Sequence, residues 1–562
     1  MRFANRFTSP LLTFALCTLP LWLYGVLCGS TGHDDSHITF WQAHTLLQQE
    51  QLLNYNGEQL EQSSSLLTVL LTATLSLITP LSIIDSGYLL SIASALTVIA
   101  LTYFTMQPAS AATRPWLPAL FTALTPYFSY WAWSGMETAL TAATVLIFIL
   151  LIHHFLHSSK NSLCIWLWIA TLALASTRPE MVVVGSVFFV IAALLLRRYA
   201  LLFFLTAFIA LMLWRYSYFG LWFPNPVYAK SGAPDMQQLQ RGIDYFLRLF
   251  RHPLSFIGVT MTLLLLCASC VKHFQQRSKN ALPFLCSLWV LLYGGFVVAS
   301  GGDWMKEGRF WVPLVPPLWL AICTAFPTGK AAQLIRYGVP VLLIAYTPFF
   351  IDRYSLGTPL WQHAAQKKIA SNDASFFEMA NREHLRDWLA LRALQQQIRE
   401  INPLPEQPLT LMSKQMGMVN YHLFTEFGSR LRVWDMAGLV DNTLRHCAVI
   451  AQDGFDKQGL RINYRKFFER LPQAERECGL RAPDIIYDIY GWGETTPLPD
   501  FLRTQGYTIV FNQTGRVNMK PGIDITAQET VAVKTALLKN KNTPTLTVNF
   551  NQALAKNLTT HP

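Results

Sequence analysis

LLTVLLTATLSLI (66–78) is the segment that decides the topology of this chain, because it is apolar but only 13 residues long. A transmembrane helix needs about 20 apolar residues, whereas shorter stretches are more typical of interfacial or re-entrant segments. If residues 66–78 crossed the membrane, the basic residues at 197–198, 272–279 and 330–336 would all face outward. The positive-inside bias favours the opposite arrangement. We therefore expect this segment to be interfacial or re-entrant, with the N-terminus in the cytoplasm.

The composition around this segment is that of a multi-pass membrane protein. Of the 562 residues, 52% are hydrophobic and only 14% are charged, whereas soluble domains carry about 25% charged residues. The sequence predicts eleven membrane-spanning helices at residues 8–28, 87–105, 116–133, 138–157, 163–177, 181–196, 199–215, 253–271, 282–300, 310–326 and 334–351. The net charge of +11 reflects basic inner loops and the C-terminal third of the chain, so a nucleic-acid partner is not predicted.

Residues 1–351 are therefore predicted to form a transmembrane domain, and residues 352–562 a soluble α/β domain outside the cytoplasm. The second region is hydrophilic and has a normal domain size. We expect an amphipathic helix at 376–401 and strands at 409–412, 485–489 and 508–511.

The cysteines and clustered histidines carry little functional signal. Cys447 and Cys478 could form a disulfide if the C-terminal region lies in an oxidising compartment. The CxxC pair Cys267 and Cys270 has no second half, so neither a metal site nor a redox site is predicted there. The histidines at 153, 154 and 157 are interpreted as a solvated helix end on the cytoplasmic side.

Asp34 and Asp35 are the first candidate catalytic residues. They follow the first predicted span directly, in a first outer loop (30–65) that contains no Lys or Arg. A carboxylate can act as the general base that deprotonates an attacking hydroxyl group. A second acid beside it can raise the pKa of the first, hold a divalent metal or orient an acceptor. Alternatively, an Asp here caps the helix that begins near Ile38.

Other polar motifs fall at the same outer ends of the predicted spans. They are Ser134-Gly135-Met136-Glu137, Thr177-Arg178-Pro179-Glu180, Pro224-Asn225-Pro226 with Tyr228 and Lys230, and Gly301-Gly302-Asp303 with Arg309. We interpret these residues as a substrate-binding set. Arg178, Lys230 and Arg309 are candidate phosphate ligands, and Tyr228 is a candidate sugar-stacking surface.

Each of these motifs also has a simpler interpretation. Glu137 could stabilise the first turn of the next helix, and Arg178 could pair with Glu180 within its own loop. Lys230 and Arg309 could extend along the bilayer to reach its interface. Asp303 could make a local ion pair in a loop turn.

The motifs in order resemble polytopic bacterial glycosyltransferases of the GT-C superfamily, and most closely the terminal arabinofuranosyltransferases of the mycobacterial cell wall. The stretches that carry the resemblance are DDSHITF (34–40), NYNGEQLEQSSSLL (54–67), SGMETAL (134–140), TRPE (177–180), FGLWFPNPVYAK (219–230), GGDWMKEGRFWVP (301–313) and, after Gly417, WDMAGLVDN (434–442). The chain departs from these relatives at residues 61–64, which lack their Gly-Tyr, and at His37, where they have an aromatic residue.

The resemblance implies a GT-C fold, a polyprenyl-phosphate sugar donor and an Asp of the first outer loop as catalytic base. On this chain the base is Asp34 or Asp35, with Glu137 facing the same cavity. Arg178, Lys230 and Arg309 become partners of the donor phosphate. No cofactor is required by these observations; if a divalent metal, Mg²⁺ or Mn²⁺, is bound, Asp34, Asp35 and Glu137 are its candidate ligands.

The function expected from these observations is an inverting glycosyltransferase. It would move a pentose or hexose from the polyprenyl-phosphate donor to a cell-envelope glycan acceptor on the outer face of a bacterial inner membrane. One alternative is a flippase for lipid-linked sugars, which would be expected to show polar features in mid-membrane at matched places in two halves. The other is a non-catalytic scaffold whose outer domain binds glycan. Sugar stacking in that domain could involve Trp434, Tyr490 and Trp492, or these residues could belong to its core.

Overall fold

The structure is a computed structural model. It describes residues 10–31, 34–106, 116–158, 162–230, 236–276, 281–303, 305, 308–326, 328–354, 374–401, 407–453, 463–490, 498–520, 523–538 and 544–549.

The first part of the chain is helical throughout. Its helices are α1 (Pro10–Cys28), α2 (Ser36–Gln49), α3 (Leu66–Ile78), α4 (Ile83–Met106), α5 (Trp116–Leu124), α6 (Pro126–Ala132), α7 (Thr138–His157), α8 (Ser162–Thr177), α9 (Glu180–Leu196), α10 (Leu205–Phe219), α11 (Asn225–Lys230), α12 (Met236–Leu247), α13 (Pro253–Gln276), α14 (Leu282–Ala299), α15 (Val315–Ala325) and α16 (Lys330–Tyr354). Short 3-10 helices precede three of them, at Tyr199–Phe204, Arg248–Phe250 and Arg309–Leu314.

Several of these helices are suited to cross a membrane. By length and composition they are Pro10–Cys28, Ile83–Met106, Thr138–His157, Tyr199–Phe219 and Leu282–Ala299, with a sixth span if the pair Met236–Phe250 and Pro253–Ala268, bent by 107°, is counted as one. Four shorter apolar helices accompany them at Leu66–Ile78, Ser162–Thr177, Glu180–Leu196 and Arg309–Ala325. The chain is thus a multi-pass membrane protein, and the total of eleven crossings stays a prediction.

The predicted span at 116–133 is wrong as a single helix, because the structure breaks it into α5 and α6 at Thr125. Pro126 lacks a backbone N–H and begins α6 at a position where none is needed. The N–H of Thr125 instead closes α5 by donating to the carbonyl of Phe121 at 3.0 Å. The interruption places two short helices where one straight span was expected.

The C-terminal domain, which we call the outer domain after its predicted location, follows α16 and combines helices with one sheet. Its elements are α17 (Phe376–Met379), α18 (Arg382–Glu400), β1 (Leu409–Ser413), α19 (Met418–Phe427), β2 (Leu431–Asp435), α20 (Thr443–His446), α21 (Ala448–Asp453), α22 (Tyr464–Cys478), β3 (Ile485–Tyr490), α23 (Leu498–Thr504), β4 (Tyr507–Lys520), β5 (Ile523–Lys534) and β6 (Leu546–Asn549). The single amphipathic helix expected at 376–401 is therefore two helices, α17 and α18.

The sheet has the strand order β2-β1-β3-β5-β4-β6. Strands β1, β2 and β3 pair in parallel, β5 runs antiparallel to both β3 and β4, and β6 is parallel to β4. The three predicted strands are confirmed as β1, β3 and part of β4. The parallel half, with α19 and other helices connecting its strands, is typical of an α/β arrangement.

The outer domain packs directly on the helices of the membrane domain. Phe377 stacks on Tyr88 of α4 with ring centroids 4.6 Å apart and planes 1° from parallel. Phe424 packs on Tyr55 of the first outer loop at 5.2 Å and on Trp41 of α2 at 6.0 Å. These aromatic rings are buried in one continuous hydrophobic core that draws on both parts. The first outer loop is therefore held between the helices of the membrane domain and the outer domain.

A disulfide joins Cys447, between α20 and α21, to Cys478 at the end of α22. Their Cα atoms are 5.7 Å apart and 31 positions separate them in sequence. Of the CxxC pair, Cys267 is an exposed free thiol, and the side chain of Cys270 lies outside the described residues.

We expect replacement of Cys447 and Cys478 by Ser to lower the free energy of unfolding of the outer domain by about 3–4 kcal/mol, because a closed loop of this length restricts the unfolded chain. Thermal unfolding of the full chain in detergent measures this, with Cys267→Ser as the control. Labelling of Cys447 by a membrane-impermeant maleimide without prior reduction would contradict the pairing.

Candidate functional site

The carboxylate of Asp34 binds the outer domain. Its Oδ2 accepts a hydrogen bond from the N–H of Gly417 at 2.8 Å, and its Oδ1 accepts one from the N–H of Met418 at 2.6 Å. These donors are the first N–H groups of α19, so Asp34 caps that helix across the domain interface. Burial, together with the carboxyls of Asp387 and Asp35, raises the pKa of Asp34 to about 8 against the opposing effect of the two N–H groups.

This contact requires a glycine at position 417, because a side chain there would overlap Asp34. A Cβ atom at Gly417 would lie 1.8 Å from the carbonyl oxygen of Asp34 and 2.4 Å from its Cγ. No side chain can approach a backbone atom so closely. The glycine therefore lets α19 begin directly against the turn that carries the Asp pair.

Asp35 differs from its neighbour because its carboxylate is not used for structure. It occupies the N-cap position of α2, yet its side chain makes no capping hydrogen bond. Among the described residues the half-buried carboxylate makes no hydrogen bond or ion pair. It interacts electrostatically with Lys230 and Arg309. The capping role considered for the pair is thus filled by Asp34, on a helix that sequence did not suggest.

Arg178 lies between two carboxylates at the junction of α8 and α9. Its Nη1 donates to Oε1 of Glu137 and its Nε donates to Oε1 of Glu180. Its guanidinium also lies over the ring of Phe310, 4.6 Å from the centroid. Glu137 occupies the N-cap position of α7 without making a capping bond, so its side chain serves the ion pair. The hydroxyl of Tyr293 reaches Oε1 of Glu180 at 3.5 Å.

Asp303 and Arg309 form a second buried ion pair. The Nε of Arg309 donates to Oδ2 of Asp303 at 2.8 Å, and its Nη2 donates to Oδ1 at 3.2 Å. The turn before Asp303 contains Gly302 at φ +72, where a Cβ would lie 2.5 Å from atoms of Tyr245. The two glycines of the motif thus make a tight turn against α12, and the local pair anticipated for Asp303 is present.

Lys230 is the cation of this group that remains available. It ends α11 with an exposed side chain and has no hydrogen-bond or ion-pair partner among the residues described. Although the side chain reaches solvent, the protein packed around it disfavours its charge and lowers the pKa of Lys230, while Asp35 and Asp303 oppose that effect. The positive charges of Arg178 and Arg309 also lower the pKa of Lys230. We call the seven residues that meet here the charged cluster: Asp35, Glu137, Arg178, Glu180, Lys230, Asp303 and Arg309.

Two predicted binding residues make their hydrogen bonds outside this cluster. The side-chain amide of Asn225 donates to the carbonyls of Gly438 and Leu439 at 2.9 and 2.8 Å, and its oxygen accepts from Asn442 at 2.7 Å. Asn225 therefore holds the outer domain. Tyr228 is 45% exposed, and its hydroxyl accepts a hydrogen bond from the N–H of Phe223 at 3.3 Å.

The motif WDMAGLVDN forms the loop that Asn225 holds. The buried carboxylate of Asp435 accepts hydrogen bonds from the N–H groups of Ala437, Leu439 and Val440. This arrangement turns the loop carbonyls toward the membrane domain, where Asn54 also donates to the carbonyl of Val440 at 3.0 Å. Trp434 is buried in the core of the outer domain, and the side chain of Tyr490 and the whole of Trp492 lie outside the described residues.

Two further clusters were not predicted from sequence. Glu61 of the first outer loop makes a bidentate ion pair with the fully buried Arg215 of α10, at 2.9 and 3.0 Å. The carboxylate of Glu378 lies within hydrogen-bond distance of Nε2 of both His37 and His422. Glu61 lies within a motif singled out above, but its partner is 154 positions away. No local pattern reveals such a pairing.

The metal ligands suggested by sequence do not come together. Within the described ranges, the group of three whose ligand atoms all lie within 4.8 Å of one another is His37, Glu378 and His422. The carboxylate of Asp34 accepts hydrogen bonds from backbone N–H groups, and that of Glu137 pairs with Arg178. The charged cluster is thus organised by ion pairs between side chains.

No family model and no curated protein sequence matches the chain. Two crystal structures of ArnT from Cupriavidus metallidurans resemble it. The apo state aligns with a TM-score of 0.51 at 12% identity, over 94% of this chain and 99% of that one. The structure bound to undecaprenyl phosphate gives 0.50 at 12% identity over the same shares. The chain therefore has the fold of ArnT.

We expect Gly417→Ala to destabilise the docking of α19 on the Asp pair by about 1–3 kcal/mol, because the new methyl group overlaps the carbonyl of Asp34. Thermal unfolding and the rate of proteolysis between the two domains measure the effect. Gly258→Ala is the matched control, since a Cβ there has no atom within 4 Å. Equal stability of both variants would show that the contact is not needed.

Proposed function

We propose that this protein is an inverting glycosyltransferase that uses a polyprenyl-phosphate sugar as donor and a cell-envelope glycan as acceptor, on the outer face of the membrane. One observation carries the proposal. In the charged cluster, Arg178 and Arg309 are neutralised by carboxylates, whereas Asp35 and Lys230 have no hydrogen-bond or ion-pair partner among the described residues. One carboxylate and one cation are thus left available for a substrate.

Asp35 has the properties of the general base. Its carboxylate makes no capping bond, while Asp34 beside it is fixed by two backbone N–H groups. Asp34 thereby holds the turn in which Asp35 is presented. In the proposed step, Asp35 takes the proton of an acceptor hydroxyl as the hydroxyl oxygen bonds to the anomeric carbon of the sugar.

Lys230 has the properties of the phosphate ligand. When the bond between the anomeric carbon and the phosphate oxygen breaks, the polyprenyl phosphate leaves with its negative charge. A cation without a carboxylate partner stabilises that charge more than one already paired. Arg178 and Arg309 lie within electrostatic reach of Lys230, but carboxylates already balance their charges. The fold shared with a protein that binds undecaprenyl phosphate supports this choice of donor.

The disulfide of the outer domain supports an extracytoplasmic site. Disulfides persist in the periplasm and on the cell surface, and they are rare in the cytosol. Because Asp34 and Asn225 tie the outer domain to the loops that carry the charged cluster, both would face the same compartment. The donor's prenyl chain would remain in the bilayer while its sugar enters the cluster from the membrane side.

Asp35→Asn is expected to lower the rate of sugar transfer by about 100- to 10,000-fold, because it removes the base without changing side-chain volume. Asp34→Asn retains a capping oxygen and should lose far less activity. The measurement is transfer from polyprenyl-phosphate sugars in membranes carrying each variant, with thermal unfolding as a check of folding. Glu50→Gln, an exposed acid at the end of α2, serves as the control. A fully active Asp35→Asn variant would overturn this assignment.

Lys230→Gln is expected to raise the KM for the lipid donor by about 10- to 100-fold, since a charge-assisted contact to the phosphate is lost. Undecaprenyl phosphate, added as a competitor, should inhibit the variant correspondingly less. Arg241→Gln, which changes an exposed Arg of α12, should leave both values unchanged. Unaltered inhibition of the Lys230 variant would place the phosphate elsewhere.

A further inference from the structure

His37, Glu378 and His422 come from three separate segments and meet at the domain interface. His37 belongs to α2 of the first outer loop, Glu378 to α17 and His422 to α19. The Oε1 of Glu378 lies 3.0 Å from Nε2 of His37 and 2.8 Å from Nε2 of His422. The three ligand atoms all lie within 4.8 Å of one another.

The burial of this group leaves a charge to be balanced. The side chains of His37 and Glu378 have no exposed area, and that of His422 is 13% exposed. Within the described chain, the ion-pair partners of Glu378 are these two imidazoles. Neutral imidazoles donate hydrogen bonds but bring no charge, and a buried carboxylate is costly unless its charge is compensated. A divalent cation would offset the carboxylate charge and leave one net positive charge.

The surrounding contacts orient the ligands. The Oε2 of Glu378 accepts a hydrogen bond from the N–H of Ser375 at 2.8 Å, as part of a capping box that fixes the carboxylate at the start of α17. The Nδ1 of His37 lies 3.3 Å from Oγ of Ser36. Supporting bonds of this kind, made by the atoms that do not face the centre, are typical of metal ligands.

We propose that His37, Glu378 and His422 bind a divalent transition metal, with Zn²⁺ the best match, and that the metal fastens the outer domain to the loop that carries the Asp pair. Two imidazoles and one carboxylate form a ligand set that Zn²⁺ favours. Tetrahedral Zn²⁺ with bonds near 2.0 Å places neighbouring ligand atoms about 3.3 Å apart. The distances of 3.0 and 2.8 Å from Glu378 to the two imidazoles need to widen by a few tenths of an ångström. The two imidazole nitrogens, which lie within 4.8 Å of each other, would need to take up the same spacing.

The position of the site gives it a role distinct from the proposed sugar transfer. His37 lies on the first turn of α2, directly after the Asp pair, and its N–H donates to the carbonyl of Asp34 at 3.1 Å. Glu378 and His422 belong to the outer domain. A bound metal would therefore fix the outer domain against this turn without touching the substrate. It would act as a structural link, with the partly exposed side of His422 open to a water as fourth ligand.

The test uses the full chain purified in detergent from cells supplied with zinc. We expect about one zinc ion per chain by elemental analysis. Removal by a chelator should lower the thermal midpoint, and added Zn²⁺ should restore it. His422→Ala, at the most exposed of the three positions, should lose both the metal and the response to Zn²⁺. His446→Ala, an exposed histidine of α20, should keep both.

Glu378→Gln separates a metal site from a hydrogen-bonded cluster. Glutamine retains an oxygen that accepts from an imidazole, but it is a poor ligand for Zn²⁺. Loss of zinc in this variant, with a midpoint equal to that of the chelated wild-type protein, supports the site. The proposal is overturned if wild-type protein contains no zinc and its midpoint does not respond to Zn²⁺. It is also overturned if His422→Ala keeps the metal. These readouts do not depend on transferase activity.

Discussion

Charge balance in a poorly solvated space governs the arrangement of the outer ends of the helices. Buried carboxylates and guanidinium groups need an opposite charge or hydrogen-bond partners, and the structure supplies several of these pairs between different helices. Arg178 joins the start of α7 to the start of α9 through Glu137 and Glu180. Glu61 joins the first outer loop to α10. Each of these ion pairs fixes the position of a loop. Only charged side chains without such a partner are available to bind a substrate.

Two adjacent acids consequently differ in role. The turn before α2 directs the carboxylate of Asp34 to the backbone of α19, while that of Asp35 faces Lys230 and Arg309. Because one member is committed to docking, the position of the other is set by the outer domain. The outer domain thus positions the catalytic turn without having to supply a catalytic group, provided Asp35 is the base as proposed.

Sequence predicted most of the helices and the convergence of the charged motifs, because each motif ends an apolar segment and such ends meet at one membrane face. It could not reveal how the charges pair. Glu137 and Arg178 are 41 positions apart, and His37 and Glu378 are 341 positions apart. The interruption at Thr125 was visible in principle, since Pro126 marks a helix start, but composition alone favoured an unbroken span. The use of Asn225 as a domain contact had no local signal.

Several polar contacts between the two domains are made to backbone groups, beside the aromatic packing of Phe377 and Phe424. Asp34 accepts from backbone N–H groups, and Asn225, Asn54 and Asn56 donate to backbone carbonyls of the outer domain. Each of these contacts requires a particular short polar side chain on one domain. On the other domain any residue can supply the backbone group, except where the chains come so close that a glycine such as Gly417 is needed. Most positions at the interface are therefore free to vary as long as hydrophobic burial is retained. A fold fastened in this way can persist at low sequence identity, such as the 12% shared with ArnT.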